Sequence, residues 1–370
     1  MIAFFRRLDT LRKNVPRQGK VAAIGAVVLG LILGSVLAFG LVSSAVGLPF
    51  ALGAALLTSP TSATHPQLGN RNVAEQPVSS SGCSQDLTPP DGQTVESSLL
   101  VNGVARDYWL HIPRGFAPSV PAPLLLAFHG HGATAVSFEH FSRLSLLADQ
   151  RGFIVAYPQG AVGADGRPGW NTYRHVDPST DDIGFVDALI THLQATVCVD
   201  PSRIYATGFS NGGGFVDVLA CDLSTRIAAF APVSGDYYPH PGGCHPSRPV
   251  SVLEIHGTAD TTNPYYGSTQ LEYPSVGQWL TIWATRDGCA ERPTLQGDGN
   301  GVVLETWNGC QDGTKLAHYR LIGIGHTWLV GPSASPTPSA SGQTHVLTFD
   351  TDTAIWDFLA AQQILTKPQA

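Results

Sequence analysis

The chain has 370 residues, of which 43% are hydrophobic, so it is long enough for one large domain or two modest ones with a buried core. The formal net charge is −7, yet the first 20 residues hold six basic side chains and one acidic one. The remainder carries 15 basic and 27 acidic residues. An acidic body of this kind argues against nucleic acid as a partner.

An apolar run without a charged residue follows the basic N-terminus and extends from Val21 to Val42. A helix of about 20 residues spans the hydrocarbon core of a bilayer, and the basic flank places its N-terminus in the cytoplasm. We therefore expect residues 1–20 to be cytoplasmic and residues 21–42 to be a transmembrane anchor, with a second apolar patch extending it as far as residue 57. The alternative is a cleaved signal peptide, which would leave the exported body secreted.

Two stretches have the composition of linkers or loops. Residues 58–85 are rich in Ser, Thr, Pro and Gly and have few large apolar side chains, so they cannot bury enough surface to fold alone. We expect a flexible linker there, followed by a single domain over residues 86–370. A similar but shorter stretch at 331–344 predicts a surface loop inserted near the C-terminus.

Strand and helix signals alternate through this domain. Asn102-Gly103 separates two β-type runs and predicts a hairpin. Apolar runs at 123–130 and 153–158 predict buried strands, and the helical pattern between them predicts one helix that ends at Gly152.

The second half of the domain continues the alternation. Asp181 and Asp182 mark the start of a helix, and a last helix is predicted from residue 351. Four further strands are predicted at 203–208, 228–235, 250–257 and 316–323. Repeated strand–helix units predict an α/β fold with a mostly parallel central sheet and helices on both faces.

Six cysteines lie beyond the apolar run, which predicts up to three disulfides in an oxidising compartment. Six cysteines allow 15 pairings. Proximity in sequence favours Cys221–Cys244 and Cys289–Cys310, leaving Cys83–Cys198. Neither a CxxC motif nor a clustered Cys/His spacing points to zinc, so we expect no metal site.

A serine among glycines is the strongest chemical signal. Gly208-Phe209-Ser210-Asn211-Gly212 has the G-x-S-x-G pattern and lies between a predicted strand and a segment able to form a helix. A tight strand–turn–helix elbow exposes such a serine, and the alternative is an ordinary glycine-rich turn. The elbow predicts Ser210 as a catalytic nucleophile.

A serine nucleophile needs a base and an acid, and in this architecture both follow later strands in chain order. Asp260 follows the strand at 250–257, and His326 lies in a Gly-rich loop after the strand at 316–323. We expect Asp260 as the acid and His326 as the base. Asp236 is the alternative acid because it also follows a strand, and we interpret His256 as structural.

The oxyanion of an acyl-transfer intermediate needs main-chain donors. The first helical residue after the nucleophile, Asn211, is the expected first donor. The second is expected from the Gly-rich segment Phe128–Thr134, at His131 or Gly132.

These motifs resemble a known family. "HGHGAT", "RIYATGFSNGGG", "AAFAPVSG", "HGTAD" and "GIGHTW", in this order, are similar to secreted polyhydroxybutyrate depolymerases and feruloyl esterases. That family of α/β hydrolases is related to carbohydrate esterase family 1. The resemblance covers Ser98 to Leu359 and departs from the family after "HTW", where the family often has Pro-Gly.

The resemblance implies a cofactor-free serine carboxylesterase acting on polyester or on feruloyl or acetyl esters of plant polysaccharide. It assigns Ser210, Asp260 and His326 to the triad, and it places Trp170 and Asn171 in a loop beside the substrate. Aromatic side chains near the predicted strand ends are candidates for lining the pocket, with ordinary packing as the alternative: Trp170, Tyr173, Tyr237, Tyr238, Tyr265, Tyr266 and Trp328. A peptidase on the same fold and a non-catalytic surface-binding protein remain as alternatives.

Overall fold

The protein is described from a computed structural model. The described residues are 68, 76–84, 90–172, 180–331, 335–338 and 344–364, with the side chains of 335–338 and 344–346 excepted. The expected anchor at 21–42 and most of the expected linker lie outside these ranges. Within them, the helices are all too short or too polar to span a bilayer.

The described chain alternates strands and helices as the sequence predicts. In chain order the elements are β1 (Gln93–Val101), β2 (Val104–Ile112), β3 (Ala122–Phe128), α1 (Ala135–Ser142), α2 (Leu144–Arg151), β4 (Ile154–Pro158), β5 (Ala161–Val162), β6 (Pro168–Gly169), α3 (Asp182–Thr196), β7 (Val199–Phe209), α4 (Asn211–Asp222), β8 (Ala229–Val233), β9 (Ser251–Gly257), α5 (Val276–Arg286), β10 (Thr294–Gly297), β11 (Val302–Trp307), β12 (Leu316–Leu321), β13 (Ser335–Pro338), β14 (Thr344–Leu347) and α6 (Thr351–Leu359). Short 3-10 turns lie at Ser81–Ser84 and Gln311–Gly313.

Ten strands form one mixed sheet in the order β1-β2-β4-β3-β7-β8-β9-β12-β11-β10. The six central strands from β4 to β12 are parallel, and β1, β2, β11 and β10 pair antiparallel at the two edges. Val101 pairs with Val104 across the predicted hairpin turn. The parallel centre is confirmed, whereas the antiparallel edge formed by β10 and β11 was not predicted.

Helices cover both faces of the sheet. Successive residues of β3 point to opposite sides, so Leu124 and Leu126 enter one core cluster while Leu125 enters the other. The first cluster is completed by α3, α4 and α5, and the second by α1, α2 and α6. The centre of the sheet is therefore buried on both sides, and its functional groups are confined to loops at the strand ends.

Three disulfides join Cys83 to Cys198, Cys221 to Cys244 and Cys289 to Cys310, the pairing that sequence proximity favours. His240 approaches the second pair closely enough for the three side chains to form a candidate metal cluster. Because those two sulfurs are bonded to each other, neither is a thiolate ligand.

Two expectations about local structure are corrected. The single helix expected to end at Gly152 is two helices, because Arg143 adopts a left-handed conformation with φ of 55° between them. The loop expected at 331–344 contains strand β13 and the first residue of β14, which pair antiparallel.

Candidate active site

Ser210 occupies a strained turn between a central strand and a helix. It follows β7, precedes α4, and has φ of 57° and ψ of −121°, a conformation that costs free energy for any residue with a Cβ. Its N–H donates to the carbonyl of Val233 on the neighbouring strand β8, which fixes the turn. The strand–turn–helix elbow predicted from the sequence is therefore present, with the serine at the positive end of the α4 dipole.

The glycines around the serine are required by close backbone approaches. A Cβ at Gly208 would lie 2.4 Å from the carbonyl oxygen of Gly212, and one at Gly212 would lie 2.2 Å from that of Phe128. Contacts this short do not occur for real Cβ atoms. The pattern that singled out Ser210 is thus a packing requirement of the elbow rather than a flexible turn.

Asp260 and His326 form the hydrogen-bonded pair that the sequence predicts. His326 Nδ1 donates to Asp260 Oδ2 over 2.7 Å, while the N–H groups of Thr262 and Asn263 donate to Oδ1 over 2.9 Å each. The Asp260 side chain is fully buried, and that of His326 is 17% exposed. With its proton on Nδ1, a neutral His326 leaves Nε2 free to accept a proton from a nucleophile.

Asp260 is held as a carboxylate. Burial by itself would raise the pKa of Asp260, but hydrogen bonds from His256 and His326 outweigh burial and lower it well below its usual range. His256 Nε2 lies 3.2 Å from the same oxygen that receives His326. The histidine interpreted as structural is thus a direct neighbour of Asp260, the expected acid.

The imidazole of His326 lies next to the nucleophile elbow. Its ring centroid is 4.7 Å from that of Phe209, the residue immediately before Ser210. Within the described part of the chain the Ser210 hydroxyl forms no hydrogen bond, so its contact with His326 stays a prediction. Catalytic hydrogen bonds often tighten only when substrate binds.

The loop carrying His326 is fastened to its surroundings on both sides. Ala259 N–H donates to the carbonyl of Ile324 over 2.9 Å, and a Cβ at Gly257 would lie 2.2 Å from that same oxygen. Beyond the histidine, Trp328 Nε1 donates to Asp352 on α6 over 2.6 Å. These contacts place the imidazole without help from a ligand.

The expected oxyanion donors lie on α4 and on the loop after β3. Asn211 is the first residue of α4, and the first N–H groups of a helix have no partner within it. The N–H of Gly132 donates to the carbonyl of Pro168 over 2.7 Å, so it is already used within the protein. The ring of His131, the other residue expected to supply the second donor, lies 3.0 Å from Asp165.

His129, which the sequence did not single out, forms hydrogen bonds that hold the loop after β3 in place. It is fully buried, and its Nε2 accepts from the N–H of Gly160 over 2.9 Å while its Nδ1 faces the carbonyl of Gly130. Burial lowers the pKa of His129 to about 4, so the ring is neutral at physiological pH.

Asp236, the alternative acid, has a different environment. It is buried beside the first turn of α4, where a Cβ at Gly214 would lie 2.0 Å from its Oδ1. Burial raises the pKa of Asp236 to about 8, so the group is protonated at neutral pH. His326 pairs with Asp260 instead.

Trp170 and Asn171, which were expected beside the substrate, form hydrogen bonds within the protein. Trp170 is fully buried, stacks on Phe215, and donates from Nε1 to the carbonyl of His129 over 2.9 Å. The Asn211 side chain bonds both the N–H and the carbonyl of Trp170. The N–H of Asn171 donates to buried Asp182 over 3.0 Å.

These contacts give Trp170 a role in positioning the loops beside the serine, because a fully buried ring offers a substrate no surface. Trp328 is also buried, with 2% exposure. Of the other aromatic candidates, Tyr173 lies outside the described residues, and only Tyr266, at 76%, is widely exposed among those described.

Comparisons with known proteins identify the family. The family model described as Esterase PHB depolymerase matches residues 106–252. Putative esterase NocK of Nocardia uniformis subsp. tsuyamanensis is 30% identical over 295 residues, which cover 73% of this chain and 83% of that protein. The chain belongs to the PHB depolymerase family of esterases. The resemblance drawn from the motifs is confirmed, and so is the expected class of enzyme, a carboxylic-ester hydrolase.

Other relatives share part of their length with this chain. Feruloyl esterase B of Piromyces equi is 34% identical over 236 residues, which cover 60% of this chain and 42% of that protein. The chain thus spans less than half of that relative. The solved acetyl xylan esterase from Aspergillus awamori aligns with a TM-score of 0.47 and 19% identity, covering 63% of this chain and 94% of that one.

Proposed function

We propose that this member of the family is a serine esterase in which Ser210, His326 and Asp260 act as nucleophile, base and acid. The observation that carries the proposal is the 2.7 Å hydrogen bond from His326 Nδ1 to Asp260 Oδ2, with the imidazole packed beside the serine elbow. Three separate strand ends supply the three groups, in the chain order that the fold requires.

The geometry supports a two-step acyl transfer. His326 Nε2 takes the Ser210 proton as Oγ attacks the ester carbonyl. The N–H of Asn211 and a main-chain N–H of the loop after β3 stabilise the oxyanion. The imidazolium then protonates the leaving alcohol, which gives an acyl-enzyme. Water deprotonated by His326 attacks the acyl carbon, and the acid departs as the serine recovers its proton.

For the substrate we propose esters of a polysaccharide, with feruloyl or acetyl as the acyl group. Support comes from the relatives named feruloyl esterase and bifunctional acetylxylan esterase/xylanase. A polyhydroxyalkanoate polyester is the second candidate, favoured by the family description.

An open cavity of about 510 Å³ is formed by the segment between β9 and α5 and by the start of α5. It is lined by residues that include Tyr266, Gln270, Glu272 and Tyr273. The Tyr273 hydroxyl donates to the carbonyl of Thr262 over 3.5 Å, and the N–H of Thr262 donates to Asp260 Oδ1. An exposed aromatic ring with polar neighbours offers a stacking surface for a sugar or a feruloyl ring.

The test compares wild type with Ser210→Ala on p-nitrophenyl acetate, methyl ferulate and a short hydroxybutyrate oligomer. Ser234→Ala is the matched control, because Ser234 also has a positive φ, at 48°, and directly follows the adjacent strand β8. We expect Ser210→Ala to lose all ester hydrolysis while Ser234→Ala retains it. Full activity in Ser210→Ala would remove that serine from its role.

A peptide amide series, a feruloylated oligosaccharide and the variant Tyr266→Ala test the peptidase alternative, the binding alternative and the role of the cavity. A peptide amide series addresses the peptidase alternative, and a wild type inactive on every ester would favour the binding alternative. Tyr266→Ala should raise KM for a feruloylated oligosaccharide and leave KM for p-nitrophenyl acetate unchanged if the cavity receives the sugar.

We also propose that the domain works outside the cytoplasm. Three disulfides support export, since such bonds persist in oxidising compartments. The apolar run at 21–42, with its basic flank, supports attachment to the cell surface. Fractionating cells that express the full chain, beside a chain beginning at residue 58, tests this: only the full chain should sediment with membranes.

A further inference from the structure

A buried row of alternating acidic and basic side chains leads from strand β9 to the catalytic imidazole. His256 Nδ1 lies 2.8 Å from Glu254 Oε1, and His256 Nε2 lies 3.2 Å from Asp260 Oδ2. Asp260 Oδ2 in turn accepts from His326. The first three side chains are at most 1% exposed, so water does not screen their interactions.

Both ring nitrogens of His256 face acceptors. Nδ1 faces the Glu254 carboxylate, and Nε2 faces Asp260 together with the carbonyl of Asn263 at 2.9 Å. A neutral imidazole has one N–H and would direct a lone pair at one of these oxygens, whereas an imidazolium satisfies both. Burial acts to lower the pKa of His256, but the charge of Glu254 and the hydrogen bonds outweigh burial and raise it to about 10.

Other ionisable groups complete the surroundings of His256. Glu254 also accepts from the Tyr237 hydroxyl over 3.0 Å and lies 2.6 Å from His318 Nδ1. Burial acts to raise the pKa of Glu254, yet His256 and His318 outweigh burial and lower it. Glu254 therefore remains a carboxylate between two histidines.

Three more groups approach this row from neighbouring elements. The Tyr265 ring lies edge-on to His256, with centroids 5.8 Å apart, and its hydroxyl is 3.0 Å from His318 Nε2. Arg320 pairs with His256 in the β9–β12 register and forms an ion pair with Glu305 over 3.0 Å.

We propose that His256 is a positioning residue that sets the basicity of His326 through their shared partner, the Asp260 Oδ2 oxygen. This inference rests on the proposed function. A lone carboxylate would stabilise the protonated form of His326 with its full charge. A fixed cation on the same oxygen offsets part of that charge and so weakens the stabilisation that Asp260 gives to the protonated imidazole.

The anchoring of Asp260 explains why the effect reaches the imidazole. Its other oxygen, Oδ1, is occupied by the N–H groups of Thr262 and Asn263. The carboxylate therefore cannot rotate to give each histidine its own oxygen. A change at His256 is transmitted to His326 through one atom.

The test is the pH dependence of kcat/KM on p-nitrophenyl acetate for wild type, His256→Gln and His318→Gln. We expect the acidic limb of His256→Gln to move upward by about one pH unit, which lowers activity at pH 5 roughly tenfold more than at pH 8. His318→Gln is the matched control, because it removes an equally buried partner of Glu254 that does not touch Asp260. Its acidic limb should stay within about 0.3 pH unit of wild type.

The outcomes separate this inference from the proposed function. An active wild type with the same acidic limb in His256→Gln overturns the role of His256 and leaves the triad intact. A wild type inactive on every ester removes the triad and the inference together. A shift of equal size in His318→Gln would also overturn the role, because it would show a general effect of loosening the row.

A measurement on the unmodified protein applies even where His256→Gln does not fold. Nitrogen-15 NMR of histidine-labelled protein should show both ring nitrogens of His256 protonated at pH 8, with His318→Gln helping the assignment. A neutral His256 ring at that pH would overturn the proposal.

Discussion

Replacing Asp260 by asparagine gives the sharpest test of the triad, because four hydrogen bonds converge on the carboxylate. Its Oδ1 accepts from the N–H groups of Thr262 and Asn263, and its Oδ2 faces ring nitrogens of His326 and His256. An asparagine has one oxygen, which the two main-chain donors retain. Its NH₂ group then faces the two rings, where it cannot accept a proton.

His326 must respond by turning a lone pair on Nδ1 toward the new NH₂ group. Its proton then lies on Nε2, where it faces the nucleophile and cannot act as a base. Loss of the correct tautomer in a Ser-His-Asp triad lowers kcat by about 10⁴-fold. That factor corresponds to roughly 5.5 kcal/mol of transition-state stabilisation, at about 1.4 kcal/mol for each tenfold change.

The assay is steady-state hydrolysis of p-nitrophenyl acetate at pH 7.5, with kcat and KM measured separately. KM should change by less than about threefold, because the substitution alters proton transfer rather than ground-state binding. Asp236→Asn is the control: it replaces a buried acid that is already neutral, and it should keep kcat within about threefold of wild type. Asp260→Asn within tenfold of wild type, or Asp236→Asn as inactive as Asp260→Asn, would refute the assignment.

Three predictions concern stability. Gly212→Ala places a Cβ 2.2 Å from the carbonyl oxygen of Phe128 at the end of β3 and should lower the free energy of unfolding by about 1–3 kcal/mol. Gly277→Ala is the control and should not lower it, because the space around Gly277 is open. Equal melting temperatures for the two variants would contradict the packing argument. Burial raises the pKa of Asp236 to about 8, so its contribution to stability is complete below pH 4 and is lost as the pH rises to 8. Asp236→Asn should therefore reduce the fall in unfolding free energy between pH 5 and 8 by roughly 1.4 kcal/mol per pH unit. An unchanged slope in urea titrations would show that Asp236 is ionised in the folded protein. Replacing both Cys83 and Cys198 by serine removes a bond between residues 115 positions apart and should cost about 2–5 kcal/mol, measured by thermal unfolding, and a variant as stable as wild type would show that the bond adds nothing.

Much of the site could be predicted because its chemistry is encoded locally. Ser210 is marked by glycines that the elbow requires, and Asp260 and His326 each follow a buried strand by a few residues. Parallel strands end at the same edge of the sheet, so residues far apart in sequence are brought together by topology alone. The hydrogen bond between Asp260 and His326 follows from that rule.

What the sequence did not reveal depends on tertiary surroundings. His256 ends a strand like any core residue, and its charge is set by Glu254 on the same strand and by Asp260 beyond it. Glu254 and His256 are separated by one apolar residue, so the sequence alone places their side chains on the same face of the strand. That spacing was a readable signal of their contact. The break at Arg143 had no such signal, because a left-handed arginine between two helical segments has no compositional mark.

Trp170 was expected to face the substrate and lies in the core instead. A tryptophan in a loop suggests an exposed contact, but its ring fills the space against Phe128 and Phe215, and its indole N–H has an internal acceptor. Burial of a loop aromatic is decided by the size of the gap beneath the loop, which no local pattern records.

The segment between His326 and the last helix is closed at its base by two hydrogen bonds between Leu329 and Thr351. Leu329 N–H donates to the Thr351 hydroxyl, and Thr351 N–H donates back to the carbonyl of Leu329 over 2.9 Å. A change of length between these two residues, away from the buried Leu347 and Phe349, should therefore leave the imidazole in place. A sugar-binding module or an affinity tag inserted within residues 332–343 should leave turnover of a small ester unaltered. This position is therefore a suitable insertion site for adding new specificity to the enzyme.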